Sequence, residues 1–155
     1  MEVKGYTPLQ ENSDTITDLI DTEALEDNEE ETEFQEPGWV IAVQGAREKQ
    51  AQDILVLDLS GVTTFTDHFV ICCGTNPRQN QAITDEIHFQ LKKRGEIPHS
   101  IEGYEQGEWI LSDYGDFLVH VFSPKSREYY GLERLWREGK PVELPPELPT
   151  ELPAE

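Results

Sequence analysis

The carboxylates best placed for chemistry lie in a short segment between two apolar runs. Asp113 and Asp116 are three residues apart, on either side of Tyr114-Gly115. A pair of carboxylates is what the two-metal enzymes that transfer phosphoryl or nucleotidyl groups require. Such enzymes carry the pair two apart on a strand after a Gly-Ser loop, whereas no Asp-x-Asp follows Gly74-Thr75. A tight turn accounts for both aspartates, so we predict no catalytic residue, no metal and no cofactor. Metal binding by this pair is the alternative.

The cysteines and histidines offer no clear nucleophilic site. Cys72 and Cys73 lie in an apolar run that is typical of a buried strand, and buried thiols are usually inert. Adjacent strand side chains point to opposite faces, so a disulfide between the two would be strained, which favours a reducing compartment. His120 alternates with apolar residues and is either a buried histidine or part of a binding face. The sequence has no P-loop, Rossmann glycine run or Gly-x-Ser-x-Gly.

A binding surface explains this segment better than an active site does. Interfaces combine a buried aromatic anchor with a polar rim that sets specificity. An ordinary core position for the tryptophan is the alternative. The predicted partner-binding residues are Glu102, Gly103, Trp109, Asp113, Tyr114, Gly115, Asp116 and His120.

A β-hairpin followed by a helix is predicted to position these residues. Residues 109–112 and 117–122 are β-rich runs, and the Asp-Tyr-Gly-Asp between them is typical of a tight turn. Ser123-Pro124 then ends the second strand and starts a helix. On that helix Tyr129, Leu132, Leu135 and Trp136 are spaced to form one apolar face.

The remaining elements predict an α/β fold. Residues 40–53 and 78–94 favour helix, residues 54–59 and 68–73 are short strands apolar on both faces, and 97–101 is a weak edge strand interrupted by Pro98. We predict one mixed sheet of about five strands with packed helices.

The acidic charge is concentrated at the termini. The chain has 155 residues and a net charge of −20. Residues 1–38 carry 13 acids and one base, so we expect a disordered acidic leader, with a short helix near residues 16–25 as an option. Residues 39–140 form the predicted domain, and the Glu-Leu-Pro repeats of 141–155 predict a disordered tail. A chain this acidic should bind nucleic acid at most in a minor way.

The chain shows no membrane or targeting signal. No apolar run approaches the roughly 20 residues needed to span a bilayer, and the acidic N-terminus is unlike a signal or transit peptide. The expectation is a cytoplasmic protein.

Several ordered motifs between residues 40 and 136 resemble the ribosomal silencing factor (Iojap, RsfS) family. The resemblance rests on the ordered set and its spacing. The matching residues are Asp53-Ile54-x-x-Leu57-Asp58-Leu59, Thr66-Asp67-x-Phe69-Val70-Ile71-x-x-Gly74-Thr75-x-x-Arg78-Gln79, Glu102-Gly103, Trp109-Ile110-Leu111-x-Asp113-x-Gly115-Asp116, Val119-His120-Val121 and Arg127-x-Tyr129-Tyr130-x-Leu132-Glu133-x-Leu135-Trp136.

The resemblance implies a fold similar to that of nucleotidyltransferases, used without their chemistry. It implies docking on the large ribosomal subunit through ribosomal protein L-fourteen, which blocks the small subunit from joining and silences translation. It also implies self-association as a homodimer, for which the candidates are Tyr129, Tyr130 and Trp136. The leader and the tail are expected to lie outside the family core. The alternatives are a nucleotidyltransferase-like enzyme and an interaction domain with another protein partner.

Overall fold

In the computed structural model, residues 35–147 are described, and they form one mixed sheet with helices packed on it. The strands are β1 (Gln52–Asp58), β2 (His68–Cys73), β3 (Ser100–Glu102), β4 (Trp109–Asp113), β5 (Phe117–Phe122) and β6 (Lys140–Pro141). The helices are α1 (Gly38–Glu48), α2 (Pro77–Lys92), α3 (Pro124–Tyr130) and α4 (Leu132–Leu135).

The strand order within these residues is β3-β4-β5-β2-β1-β6. The pairing of β2 with β5 is parallel, and the other neighbours are antiparallel. The predicted mixed α/β class is therefore confirmed, with six strands rather than about five. The predicted hairpin is β4–β5, and the weak strand is the edge strand β3.

The helices α1 and α2 cover one face of the sheet, which we call the inner face. Gly45 allows close packing, since an added Cβ would lie 3.1 Å from the backbone of Ile87. Asn76 caps α2 by accepting from the Gln79 amide at 2.8 Å. The main core lies between these layers and contains Val43, Val70, Ile83, Ile87, Leu91, Ile110, Val119 and Val121, among others.

The expected first helix was too long and the expected last helix is two helices. Helix α1 ends at Glu48, and Gln50 and Asp53 both have positive φ (63° and 52°), which a helix cannot continue through. Gly131 separates α3 from α4 in the left-handed conformation, with φ 56°. The predicted single apolar face is therefore wrong: Leu132 is buried, whereas Tyr129 and Leu135 are 78% and 73% exposed.

The described part of the tail differs from the expected disorder. Strand β6 pairs with Leu57 and Asp58 at the edge of the sheet, where a proline is tolerated because it need not donate to the ladder. The Val142 amide donates to the Val56 carbonyl at 2.8 Å, and Val142 and Leu144 pack against the main core. The expected disorder of residues 1–34 and 148–155 lies outside the described residues.

Candidate functional site

The face of the sheet opposite α1 and α2, which we call the outer face, is covered only in part. Side chains alternate along a strand, so the outer face takes the residues next to those of the main core. Residues Leu57, Phe69, Ile71, Phe122 and Leu132 form a second apolar cluster there. Helices α3 and α4 lie over one side of it, and several large side chains on this face remain accessible.

A continuous series of aromatic rings crosses the outer face. From α3, Tyr130 lies 4.6 Å from Trp109, which stacks at 4.9 Å on Phe122. His120 lies 6.0 Å from Trp109 and 4.5 Å from Phe69. The series ends at Trp136 and Phe65, with ring centroids 5.5 Å from Phe69 to Trp136 and 5.8 Å from Trp136 to Phe65. We call these seven residues the aromatic series.

Trp109 and His120 hold each other in position by a hydrogen bond. The Trp109 Nε1–H donates to His120 Nδ1 at 3.1 Å. Because the indole nitrogen only donates, His120 must be neutral, with its proton on Nε2. Burial lowers the pKa of His120 to about 3, so the acceptor is present at neutral pH. Trp109 is half-buried, so it is both part of the second cluster and accessible.

The hairpin turn places its polar residues at one end of the outer face. Asp113 Oδ1 accepts from the Gly115 amide at 2.8 Å, and the Asp116 carbonyl accepts from the Asp67 and His68 amides. Asp113 is opposite Leu118 in the ladder, and Asp116 is exposed. Both aspartates thus serve the turn through backbone contacts.

Tyr114 is the predicted site residue that the structure places elsewhere. Its ring stacks on Phe117 at 5.0 Å and packs against the main core, on the inner face. The structure therefore separates Tyr114 from Trp109 and His120, although all three lie in one hairpin.

Glu102 and Gly103 flank the aromatic series at the edge of the sheet. Glu102 is exposed and opposite Leu111, which is opposite His120. Gly103 has φ 79°, and an added Cβ would lie 2.2 Å from the Trp109 carbonyl oxygen. Glycine here lets the chain approach the backbone of Trp109.

Arg127 fixes α3 to the sheet. Its guanidinium pairs with Glu133 (2.7 and 2.9 Å) and donates to the Asp53 carbonyl at 2.7 Å and to Cys73 Sγ at 3.3 Å. The position of α3 and α4 determines the exposure of the three candidates for self-association. Tyr129 and Tyr130 are exposed, and Trp136 is half-buried beside Phe69.

Several residues considered for catalysis or metal binding are buried or hydrogen-bonded within the fold. Cys72 is fully buried on the inner face, which raises the pKa of its thiol to about 12. Thr75 donates to Gln79 Oε1 through both its amide and its hydroxyl. Among residues 35–147, no group of three histidine, cysteine or acidic side chains is placed to hold a metal.

Sequence reasoning missed accessible residues beside the site. Phe65 lies between the predicted strands of residues 54–59 and 68–73, and nothing in its spacing signals that its ring meets Trp136 and Phe69. Leu118 lies two residues before His120 in the predicted strand of residues 117–122, and this spacing is the signal that puts both on one face; the strand register then sets Leu118 opposite Asp113.

The described residues form an α/β domain whose outer sheet face keeps accessible aromatic side chains near carboxylates of the hairpin turn and the sheet edge. The comparisons place it more narrowly. The family model described as "ribosomal silencing factor during starvation" matches residues 31–154, and the chain belongs to this ribosomal silencing factor (RsfS) family. The match includes the tail, which was expected to lie outside the family core.

Known relatives agree with this assignment. The chain is 40% identical over 104 residues to the ribosomal silencing factor RsfS of Bacillus subtilis, covering 67% of this chain and 88% of that protein. A crystal structure from Bacillus halodurans is 39% identical with TM-score 0.61, covering 67% and 94% of the two chains. One from Chromobacterium violaceum is 33% identical with TM-score 0.64, covering 66% and 88%.

The helices of residues 35–147 are all too short or too polar to cross a membrane.

Proposed function

We propose that this protein is a ribosomal silencing factor that acts by binding. The outer face docks on the large ribosomal subunit through ribosomal protein L-fourteen, and the bound protein sterically prevents the small subunit from joining. The observation that carries the proposal is the aromatic series on the outer face, in which Phe65 and Tyr130 are exposed and Trp109 and Trp136 half-buried, over the buried Phe69, His120 and Phe122. Protein interfaces are rich in such aromatic anchors.

The rim around the aromatic series supplies specificity in this proposal. Glu102 lies at the edge of the outer face and Asp113 and Asp116 at its hairpin end, and in this proposal they supply negative charge beside the anchor Trp109, which the buried His120 holds in position. Charged rims steer association and select partners more than they add affinity. A basic patch on the partner protein is therefore the complement that this surface fits.

Contact with ribosomal RNA is minor in this proposal. The net charge of −20 repels phosphates. The basic run at the end of α2 is partly engaged, since Arg94 pairs with Glu96 and donates to the Glu36 carbonyl. The acidic charge is therefore consistent with docking on a ribosomal protein rather than on ribosomal RNA.

A homodimer of the free protein is proposed through the α3–α4 side of the outer face, with Tyr129, Tyr130 and Trp136. Tyr130 contacts Trp109, so the two candidate surfaces are continuous. The proposed organisation is a leader (1–38), a silencing domain (39–140) and a tail (141–155), in a protein of the cytoplasm, although the domain also takes in Gly38 of α1 and the start of the tail, where Pro141 joins the sheet and Val142 and Leu144 pack on the main core.

Sedimentation of ribosomal subunits tests the function. Purified large and small subunits are mixed with and without the protein and resolved on a gradient. We expect the protein to travel with the large subunit while the joined-ribosome peak falls. A protein that stays at the top, with an unchanged joined peak, rules the proposal out and favours an interaction domain with another partner.

The enzyme alternative is tested by thermal shift with nucleotides and Mg²⁺. A ligand that binds only the native state must raise its stability. Silencing by steric block predicts an unchanged midpoint of thermal unfolding. A rise in this midpoint that requires both the nucleotide and Mg²⁺ would favour the nucleotidyltransferase-like enzyme.

Replacing Trp109 tests the position of the site. We expect Trp109→Ala to weaken large-subunit binding by about 2 kcal/mol or more, as loss of an interface anchor does. The matched control is Phe89→Ala. Phe89 is 57% exposed on α2, the helix that covers the inner face of the sheet, and so lies on the opposite side of the molecule from Trp109. Circular dichroism must show that both variants are folded. Equal binding by wild type and a folded Trp109→Ala would mean that the site is misplaced.

A further inference from the structure

An exposed apolar patch lies at the end of the aromatic series, beside two arginines. The patch consists of Val62, Phe65, Leu135 and Trp136, of which Phe65 is 55% and Leu135 73% exposed. A cavity of about 370 Å³ lies along it, and its lining is Val62, Arg134, Leu135, Trp136, Arg137 and Glu138.

The two arginines are available to a partner. Arg134 and Arg137 are exposed, and the ion pairs formed within residues 35–147 use neither of them. Glu138 is the acidic side chain in the lining of the cavity. Accessible apolar side chains next to unpaired cations fit a segment that is both apolar and acidic.

The leader of this chain contains such a segment. Residues 14–25 read DTITDLIDTEAL. At helical spacing Ile16, Leu19 and Ile20 share one face, and Asp18 and Asp21 lie on the opposite side. The leader as a whole carries 13 acids and one base.

The leader enters the domain on the inner side of β2, at the same end of that strand as the loop that carries Phe65 on the outer side. Trp39, in the first turn of α1, lies 5.4 Å from His68, the first residue of β2. The next residue, Phe69, contacts both Phe65 and Trp136 on the outer face. Ten residues, 26–35, connect the apolar segment to the domain, and a flexible chain of ten spans roughly 17 Å.

We propose that residues 14–25 of the leader dock on the apolar patch of their own chain. The apolar side chains cover Phe65, Leu135 and Trp136, and the aspartates face Arg134 and Arg137. A short tether gives an effective concentration in the millimolar range. An intrinsic dissociation constant of about 1 mM, only about 4 kcal/mol of binding, therefore leaves about half of the molecules docked.

Docking would regulate the site. The patch includes two members of the aromatic series, so a docked leader competes with any partner that uses the far end of the outer face. This consequence rests on the proposed function, whereas the docking itself does not.

A spin label on the full-length chain tests the docking. Ser13→Cys provides a thiol for a nitroxide, since Cys72 and Cys73 are buried. The readout is paramagnetic broadening of the Trp136 indole signal. Because about half of the molecules are docked and exchange is fast, we expect its intensity to fall at least twofold. The amide of Phe89, an exposed aromatic with Lys93 over its ring on the other side of the molecule, should be unaffected. Equal broadening at both positions overturns the proposal.

Variants separate docking from general charge attraction. Leu19→Ser with Ile20→Ser, or Arg134→Glu with Arg137→Glu, should restore the Trp136 signal. The matched controls are Glu29→Gln, Glu30→Gln and Glu31→Gln in the leader, and Lys49→Glu with Lys93→Glu on the α1–α2 side. Neither control should alter the broadening. Restoration by the controls as well would show nonspecific attraction and contradict a defined site.

A second copy is the competing occupant of the patch. Spin-labelled chain at natural isotope abundance is therefore mixed with isotope-enriched chain that carries no spin label. Broadening that persists in this mixture is intermolecular and overturns the proposal in favour of self-association. These readouts need no ribosome, so a failed sedimentation test leaves the docking result intact.

Discussion

The indole of Trp109 and the imidazole of His120 fix each other's orientation on the outer face. The bond between them uses the indole donor and the one acceptor nitrogen of a neutral histidine. Trp109 is therefore held in one orientation, which in the proposed interface reduces the entropy lost on binding. Protonation of His120 removes the acceptor and abolishes the bond.

The pH dependence of stability should carry the signature of His120. Its pKa is about 3 in the fold against 6.5 for an unperturbed histidine, so the unfolded chain binds more protons between these values. Stability then falls as the pH falls through this window. We expect wild type to lose about 2 kcal/mol more than His120→Gln between pH 7 and pH 5, as measured by urea unfolding at both values.

The control for this experiment is His99→Gln, because His99 is exposed. His88 is also buried, and burial with the nearby Lys92 lowers its pKa to about 4. Its contribution is common to all three proteins and cancels in the comparison. Parallel pH profiles for wild type and His120→Gln would contradict the buried neutral histidine.

At the scale of elements, replacing the glycine after β3 and the glycine between β4 and β5 should lower the free energy of unfolding by different amounts. Gly103 and Gly115 both have positive φ (79° and 90°). An alanine at Gly115 meets only the His99 side chain, at 3.1 Å, whereas at Gly103 it meets the Trp109 carbonyl at 2.2 Å. We expect Gly115→Ala to cost about 1–2 kcal/mol of unfolding free energy, and Gly103→Ala clearly more.

Denaturant unfolding of the two variants measures this difference. The comparison controls for backbone strain, because both positions are left-handed and only the contacts of the added methyl differ. Equal destabilisation would mean that β3 moves freely relative to β4, and that Gly103 does not position Trp109.

The elements that local pattern specifies were predictable, and those that depend on distant contacts were not. The β-rich run of residues 117–122 was predicted as a strand and is β5, and the helix predicted over residues 78–94 is α2, which begins at Pro77 after the Asn76 cap. The break at Gly131 was missed because the flanking residues keep helical spacing. Arg127, which holds α3 on the sheet through Asp53 and Cys73, reaches partners 74 and 54 positions away.

The site shows the same division. The predicted hairpin brings Trp109 and His120 onto one face of neighbouring strands, where they are hydrogen-bonded, so this juxtaposition was predictable. Tyr114 and Phe65 were not, because each lies outside a regular strand and takes its direction from its neighbours, Phe117 and Trp136. Strand β6 was missed because the surrounding repeats of proline argue against any strand, and only its edge position permits one.

At the scale of the whole molecule, the tail should stabilise the domain through its first seven residues. Val142 and Leu144 pack on the main core, and Arg47 donates to the Pro145 carbonyl at 2.7 Å. We expect a chain that stops after Lys140 to be about 2–3 kcal/mol less stable than the full chain. Urea unfolding of the two proteins measures this loss.

A chain that stops after Glu147 is the matched control for the tail. It keeps the contacts that the structure describes and removes only residues 148–155. We expect its stability to lie within about 0.5 kcal/mol of the full chain. If both truncated chains unfold at the same urea concentration, the packing of Val142 and Leu144 contributes nothing.

The parallel pairing of β2 with β5 affects how the chain folds while it is being synthesised. The β1–β2 and β4–β5 ladders join strands that are close in sequence, but the seam between them joins positions as far apart as Thr66 and Gly115, 49 residues. Contacts between distant residues form slowly. During synthesis, β2 therefore presents an unpaired edge until β5 has emerged. For that interval the growing chain is most exposed to pairing with another chain.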